Sequence, residues 1–331
     1  GGTPLLEVPS LATRVGVGEL WVKDEGLNPT GTFKARGASA GVSMARELGV
    51  KEIAIPTAGN AGGAWACYGA AAGIRTRVVM PSDAPMPNRS EVVLFGAELM
   101  LVEGTIADAG KVVSAGAVEH GWFDASTLRE PYRIEGKKTM GLEIAEQLSW
   151  ETPDAIVYPA GGGVGLIGIW RAFRQLQELG WVDRLPRLCL VQAAGCAPLV
   201  RALEAGTEES ERWESPATIA QGLRVPKPLG DRLTLRAVRE TGGAGVAVED
   251  EQMLSAMETL ALSSGILAGP EGAATLAGAI RLRQLGALAA GERVVLVNTG
   301  TALKSPDALE QVVASSAEQG GTGGTGDRVR R

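Results

Sequence analysis

The sequence predicts an α/β protein with parallel sheets covered by helices on both faces. Three observations carry that expectation. Short apolar runs alternate with longer stretches of helical periodicity. Glycine supplies 46 of 331 residues, about twice the usual share of roughly 7%, and clusters where apolar runs end, as tight strand-to-helix turns require. The chain is 45% hydrophobic, 21% charged and only 4% aromatic, so its cores are built from Ala, Val, Leu and Ile, and disorder is excluded as its main state.

Taken in order, the strands are expected over 20–22, 53–55, 77–80, 98–102, 155–158, 188–192 and 294–297. Helices are expected over 34–48, 62–72, 87–95, 107–119, 132–148, 164–179, 197–205, 231–241, 250–264 and 272–285. The first of these helices carries an apolar stripe of Phe33, Ala40, Met44, Ala45 and Leu48. A length of 331 residues suits two domains, and ligands of such sheets bind beyond the carboxyl ends of the strands.

Composition narrows the function. A net charge of -6, from 32 basic and 38 acidic residues with no basic block, argues against a nucleic-acid partner. One histidine, His120, excludes a multi-histidine metal site, and its place before Gly121 reads as a helix end. Cys67, Cys189 and Cys196 form no CxxC pair and suit a reducing compartment. No signal peptide is recognised. The uncharged stretch 53–74 contains Pro56, Asn60 and several glycines, so a soluble protein rather than a membrane span is expected. Thr3 follows two glycines directly, so a segment upstream of it is expected; the glycine-rich stretch from Gly320 is expected to be flexible.

Four segments bring polar groups to strand ends. In Asn28-Pro29-Thr30-Gly31-Thr32-Phe33-Lys34, a turn precedes a helix that Thr30 or Thr32 can cap, placing Lys34 in its first turn. The helix dipole there disfavours an ammonium, which suits a lysine working as a free amine in Schiff-base chemistry; a solvated surface lysine is the ordinary account. Asn60, in Thr57-Ala58-Gly59-Asn60, offers an amide beyond a strand or simply caps the next helix. Gly161, Gly162, Gly163, Val164 and Gly165 join a strand to a helix, either as a phosphate cradle of backbone N–H groups or as a device for tight helix–sheet packing. Gly163, Gly165 and Gly168 also match a dinucleotide fingerprint, but the following strand ends in Gln192 instead of the required acid. Thr299, in Asn298-Thr299-Gly300-Thr301, presents a hydroxyl at a strand end or caps a turn.

An amine, an amide, a phosphate cradle and a hydroxyl together match what one cofactor uses, pyridoxal 5'-phosphate. The lysine, asparagine, glycine-loop and Asn298–Lys304 segments also resemble those of the tryptophan-synthase-β-like (fold type II) pyridoxal-phosphate enzymes, in their threonine-synthase branch. The segments 131–139 and 222–226 look similar to that family too, and the matches keep its order from Thr3 to about Pro306. The resemblance implies two doubly wound α/β domains with the cofactor in the interdomain cleft: a small one over 28–148, a large one from 1–27 plus 149–314, and a flexible tail over 315–331. It implies that Lys34 carries the cofactor and moves protons, Asn60 bonds the ring hydroxyl, residues 161–165 hold the cofactor phosphate, and Thr299 faces the ring nitrogen. Thr57 and Arg133 are the expected substrate contacts, with Arg133, Lys137 or Lys138 available for a substrate phosphate. The implied activity is a lyase converting O-phospho-L-homoserine and water to L-threonine and phosphate, in a cytoplasmic homodimer. Ala35, Ala61 and the nearly all-glycine loop depart from the threonine-synthase pattern, and the alternative is a threonine or serine dehydratase or another pyridoxal-phosphate-dependent β-elimination or replacement enzyme. A non-catalytic binding protein is a third reading, either a nucleotide binder using Gly163 to Gly168 or a relative that has lost activity; intact Lys34 argues against lost activity.

Overall fold

A computed structural model describes residues 1–320. The strands are β1 (Leu5–Glu7), β2 (Glu19–Asp24), β3 (Glu52–Pro56), β4 (Arg75–Pro81), β5 (Glu98–Val102), β6 (Phe123–Asp124), β7 (Ala155–Pro159), β8 (Arg187–Ala193), β9 (Gly245–Val248) and β10 (Arg293–Asn298). The helices begin with α1 (Pro9–Val15), α2 (Lys34–Glu47), α3 (Ala61–Ala72), α4 (Met86–Leu94), α5 (Ile106–His120) and α6 (Tyr132–Gln147). They continue with α7 (Val164–Glu178), α8 (Pro198–Glu204), α9 (Asp231–Glu240), α10 (Asp250–Ser264), α11 (Pro270–Gln284) and α12 (Pro306–Gly320).

Two sheets result. One has the order β1-β2-β10-β7-β8-β9, parallel except for β1; the other, all parallel, has the order β5-β4-β3-β6. Strand pleating sends alternate residues into separate cores. In the larger sheet Val157, Val191 and Leu296 face one core, and Ile156, Leu190 and Val297 the other. The smaller sheet does the same with Ile53, Ile55 and Val78 on one side and Ala54 and Val79 on the other. Burial on both faces explains why these strands read as unbroken apolar runs.

All seven expected strands and all ten expected helices form, with ends shifted by no more than two residues. β1, β6 and β9 are additional, with two to four residues each and too little pattern to read. α1 does have a readable signature: Pro9 in the first turn and Gly16 as a left-handed cap. α12 runs to Gly320, so residues 315–320, expected in the tail, are helical; 321–331 lie outside the described residues.

The expected stripe of α2 needs correcting. Ala35, Ala38, Val42 and Ala45 are the buried apolar positions, with Gly37 and Gly41; of the expected stripe Phe33 and Ala45 are buried, Ala40 and Met44 half-buried and Leu48 exposed. The reason is that α2 is sandwiched between α3 and α6, so small residues are selected on two faces. A side chain at Gly41 would overlap Trp65 of α3, and one at Gly136 of α6 would overlap the Arg36 carbonyl of α2. A side chain at Gly141, further along α6, would press on Ala172 and Ile169 of α7. α6 thus packs against helices of both units.

A buried polar knot fastens α2 to the larger sheet. Arg36 donates to both carboxylate oxygens of Glu25, to both of Glu143 on α6, and to Thr139. Lys23, fully buried, donates to Glu143, Gln147 and the Thr3 carbonyl at 2.7–2.8 Å. Asn28 Nδ2 completes Glu25 at 2.8 Å. Burial alone would raise the Glu143 carboxyl, but hydrogen bonds from Arg36 and Lys23 outweigh it and bring the group from 4.5 to about 2.

Arg36→Met leaves Glu25 charged without its partner in the interior. It should lower unfolding stability by about 3–5 kcal/mol in a urea titration. The depressed Glu143 carboxyl contributes stability above its ordinary titration range, and this share should vanish as pH falls from about 4.5 to 2. Glu143→Gln should flatten the acid limb of the stability profile.

Candidate active site

The crevice between the sheets receives the carboxyl ends of β2, β3, β7 and β10, and four segments meet there. Thr30 and Gly31 both adopt left-handed backbone, with φ of 62° and 67°. That costs Thr30 about 1–2 kcal/mol, and its buried hydroxyl has no partner among the described residues. The loop is zipped to the chain after β10. Thr301 N–H donates to the Gly31 carbonyl and Phe33 N–H to the Thr299 carbonyl, both at 3.0 Å, and Thr32 bridges Gly300.

Neither threonine is the cap residue of α2. Phe33 occupies that position because the zipper fixes its N–H, and Thr32 Oγ1 instead accepts the Lys34 N–H at 3.3 Å. Lys34 is half-buried, its Nζ 4.5 Å from the centre of the Phe33 ring. Desolvation first, then the Arg133 cation, pushes its ammonium down to about 8, with Glu271 opposing. A solvated surface lysine would show none of this.

Asn60 stands at the cap position of α3, yet its side chain caps nothing and its buried Oδ1 has no partner among the described residues. The capping account therefore fails. Thr57 Oγ1 instead turns the loop by accepting the Gly59 N–H at 3.1 Å. α3 packs on the Pro29–Gly31 turn, and Trp65 lies under the Arg133 guanidinium at 5.5 Å.

Both readings of the glycine loop are met at once. Side chains at Gly161, Gly163 and Gly165 would overlap the Gly222 carbonyl, Thr234 and the Tyr158 hydroxyl respectively, and Gly163 is left-handed. Packing demands those three glycines. Gly162 has nothing within 4 Å of where a side chain would start. The backbone N–H groups of Gly161, Gly162 and Gly163 have no partner among the described residues, and Val164 begins α7 with its own unpaired first turn. Such a row of donors at a helix N-terminus favours an anion. Gln192, where a dinucleotide site needs an acid, is buried and structural: it donates to the Ala160 carbonyl and accepts the N–H groups of Leu199 and Val200.

Thr299 is buried at the end of β10, its carbonyl holding Phe33; the turn is capped by Thr301 instead. Arg133 and Lys137 share the inner face of α6. Arg133 donates to the Ala125 carbonyl and to Thr127 and pairs with Glu130 at 3.4 Å. Lys137 lies with Nζ 5.4 Å from the Phe33 ring, whereas Lys138 is half-buried and pairs with Glu135. His120 is exposed at the end of α5.

Tyr158, Glu271 and Glu91, three neighbours of the crevice, carried no sequence signal, and the partner of Lys304 was not readable either. Tyr158 packs edge-on against Phe33 at 6.2 Å, and Glu271 accepts the Gly222 N–H at 2.7 Å. Glu91 of α4 pairs with Lys304 at 2.6 Å, linking the two units. The inward direction of Lys137 was readable, since it follows Arg133 by four residues on a helix.

Two parallel sheets turning their strand ends toward one desolvated lysine define the class: an α/β enzyme of the fold type II, tryptophan-synthase-β-like architecture. The chain belongs to the pyridoxal-phosphate dependent enzyme family, whose model matches residues 1–300, and it is a pyridoxal-phosphate-dependent enzyme. It is 37% identical over 313 residues to a threonine synthase of Methanosarcina acetivorans, covering 94% of this chain and 77% of that one. In structure it resembles maize serine racemase, with a TM-score of 0.82, 26% identity and coverage of 96% and 93% of the two chains. It also resembles a threonine deaminase from T.th., with a TM-score of 0.75, 28% identity and coverage of 90% and 92%. No helix among the described residues is long and apolar enough to cross a membrane, and those residues hold no cluster of three or more metal-ligating side chains.

The loop separates packing from binding. Gly161→Ala should lose retained cofactor, read from its visible absorbance, by tenfold or more, because the methyl group displaces the Gly222 segment that backs the cradle. Gly162→Ala, with open space before it, should fold with unchanged thermal stability.

Proposed function

We propose that this enzyme is a threonine synthase, converting O-phospho-L-homoserine and water to L-threonine and phosphate. The observation that carries the reading is that the crevice offers two seats for anions. One is the row of N–H groups at 161–163; the other is Arg133 with Lys137 beside Lys34, where burial first and then the Lys34 and Arg133 cations push the Lys137 ammonium well down, so that an arriving anion would favour its charged form. A phosphorylated cofactor acting on a phosphorylated substrate needs both. The family relatives of known activity support the same choice.

The open donors and acceptors suit pyridoxal phosphate. In this reading the N–H groups of Gly161, Gly162, Gly163, Val164 and Gly165 take its phosphate, and the otherwise unpartnered Asn60 amide meets its ring hydroxyl. Thr299 provides a neutral hydroxyl for its ring nitrogen. When bound, the cofactor supplies an electron sink for bonds at the substrate's Cα. Lys34 does the proton work: poised near neutrality, its Nζ takes the proton from Cα and moves protons among the neighbouring carbons as phosphate leaves Cγ and water adds at Cβ. Thr57 and Arg133 orient the substrate. The unit over 28–148 closes on 1–27 plus 149–314 and keeps water out until the addition step. A cytoplasmic homodimer belongs to the same reading, with sedimentation as its check on assembly.

A dehydratase acting on threonine or serine is the second reading, favoured by the all-glycine loop and the likeness to a threonine deaminase. A substrate panel decides between them: phosphate release from O-phospho-L-homoserine is expected, and keto-acid release from threonine without it would overturn the proposal.

Lys34→Ala should reduce turnover at least about a thousandfold and abolish fixation of the cofactor by borohydride. For the cofactor-free protein, an amine at about 8 is increasingly neutral as pH rises. The rate at which added pyridoxal phosphate couples to it should therefore climb about tenfold per pH unit below 8 and level off above it.

A further inference from the structure

Lys137 is almost wholly buried, yet its ammonium has no carboxylate and no hydrogen-bond partner among the described residues. The charges facing it are unfavourable. Lys34 on α2 lies against the same Phe33 ring, at 4.5 Å to the ring centre against 5.4 Å for Lys137, and Arg133 sits one turn back on α6. The nearby acid, Glu130, is engaged by the backbone N–H of Arg133 at 2.9 Å and by its guanidinium. On the α7 side Gly168 brings no charge and lies against the Lys137 backbone, fixing where the side chain starts.

A cation so placed is costly unless an anion arrives to share it. The 161–165 loop has its own N–H donors for a phosphate and does not need this one. Lys137 instead lies over the same aromatic ring as the nitrogen that does the proton work, so the anion it awaits is attached close to the reacting carbons. Resting on the threonine-synthase reading, we propose that Lys137 receives the side-chain phosphate of the substrate and selects for it against unphosphorylated amino acids.

The test uses the holoenzyme with O-phospho-L-homoserine as substrate and inorganic phosphate as competitor. Lys137→Gln should raise KM and the inhibition constant of phosphate together, each by about tenfold or more, with the larger part of the loss in KM rather than kcat. Lys137→Arg should recover most of both, and Lys138→Gln, altering a half-buried side chain already paired with Glu135, should change neither more than twofold. Cofactor absorbance and borohydride fixation verify that each variant is folded and loaded. If Lys137→Gln leaves the phosphate constant unchanged, or sheds cofactor while Lys137→Arg does not restore phosphate binding, the assignment is overturned.

Failure of the parent reading looks different. Wild-type enzyme would then release keto acid from threonine and no phosphate from O-phospho-L-homoserine. Calorimetric titration with inorganic phosphate still judges Lys137 in that case. Binding lost in Lys137→Gln sustains an anion receptor at this residue, and absence of binding to the wild type removes it.

Discussion

The site depends first on a guanidinium. Arg36 sits two residues beyond Lys34, and its pairs with Glu25 and Glu143 tie the start of α2 to the end of β2 and to α6. Such a buried pair gives little net stability compared with well-packed apolar residues. Its value is positional: two carboxylates fixed on separate elements accept a planar fork in only one orientation. The zipper of residues 31–33 with 299–301 then fixes the other side of Lys34. The amine is held from both directions while its own side chain remains unpaired.

Much of the architecture was legible because strands buried on both faces leave unbroken apolar runs, and glycines mark their ends. The lost elements are informative. β6 has two residues and exists only because Ala54 and Ile53 offer an edge to pair with. The stripe of α2 was misread because a helix covered on two sides does not show a single apolar face. Gly41 beneath Trp65 is core, but no hydrophobicity pattern can count a missing side chain.

At the site, residue type was legible and circumstance was not. Asn60 in a loop before a helix fits a cap in any sequence; only its uncapped, buried oxygen separates the two accounts. The glycine loop posed a false choice, since steric demand at three positions and open N–H donors coexist along one short segment. Lys137 and Lys138 are adjacent in sequence and opposite in surroundings, which is helical geometry rather than composition. Tyr158, Glu271 and Glu91 come from distant stretches and nothing local announces them, and Lys304 was legible as part of its segment but its pairing with Glu91 was not.

The two glycines of α6 set a dimension. Gly136 lets α2 lie directly on the helix, and five residues later Gly141 does the same for α7. The gap between the amine at the head of α2 and the donor row at the head of α7 is thus measured by a ruler whose graduations are two absent methyl groups. A bulkier residue at either mark would lengthen the ruler, and the enzyme would keep every reactive group while holding them at the wrong span.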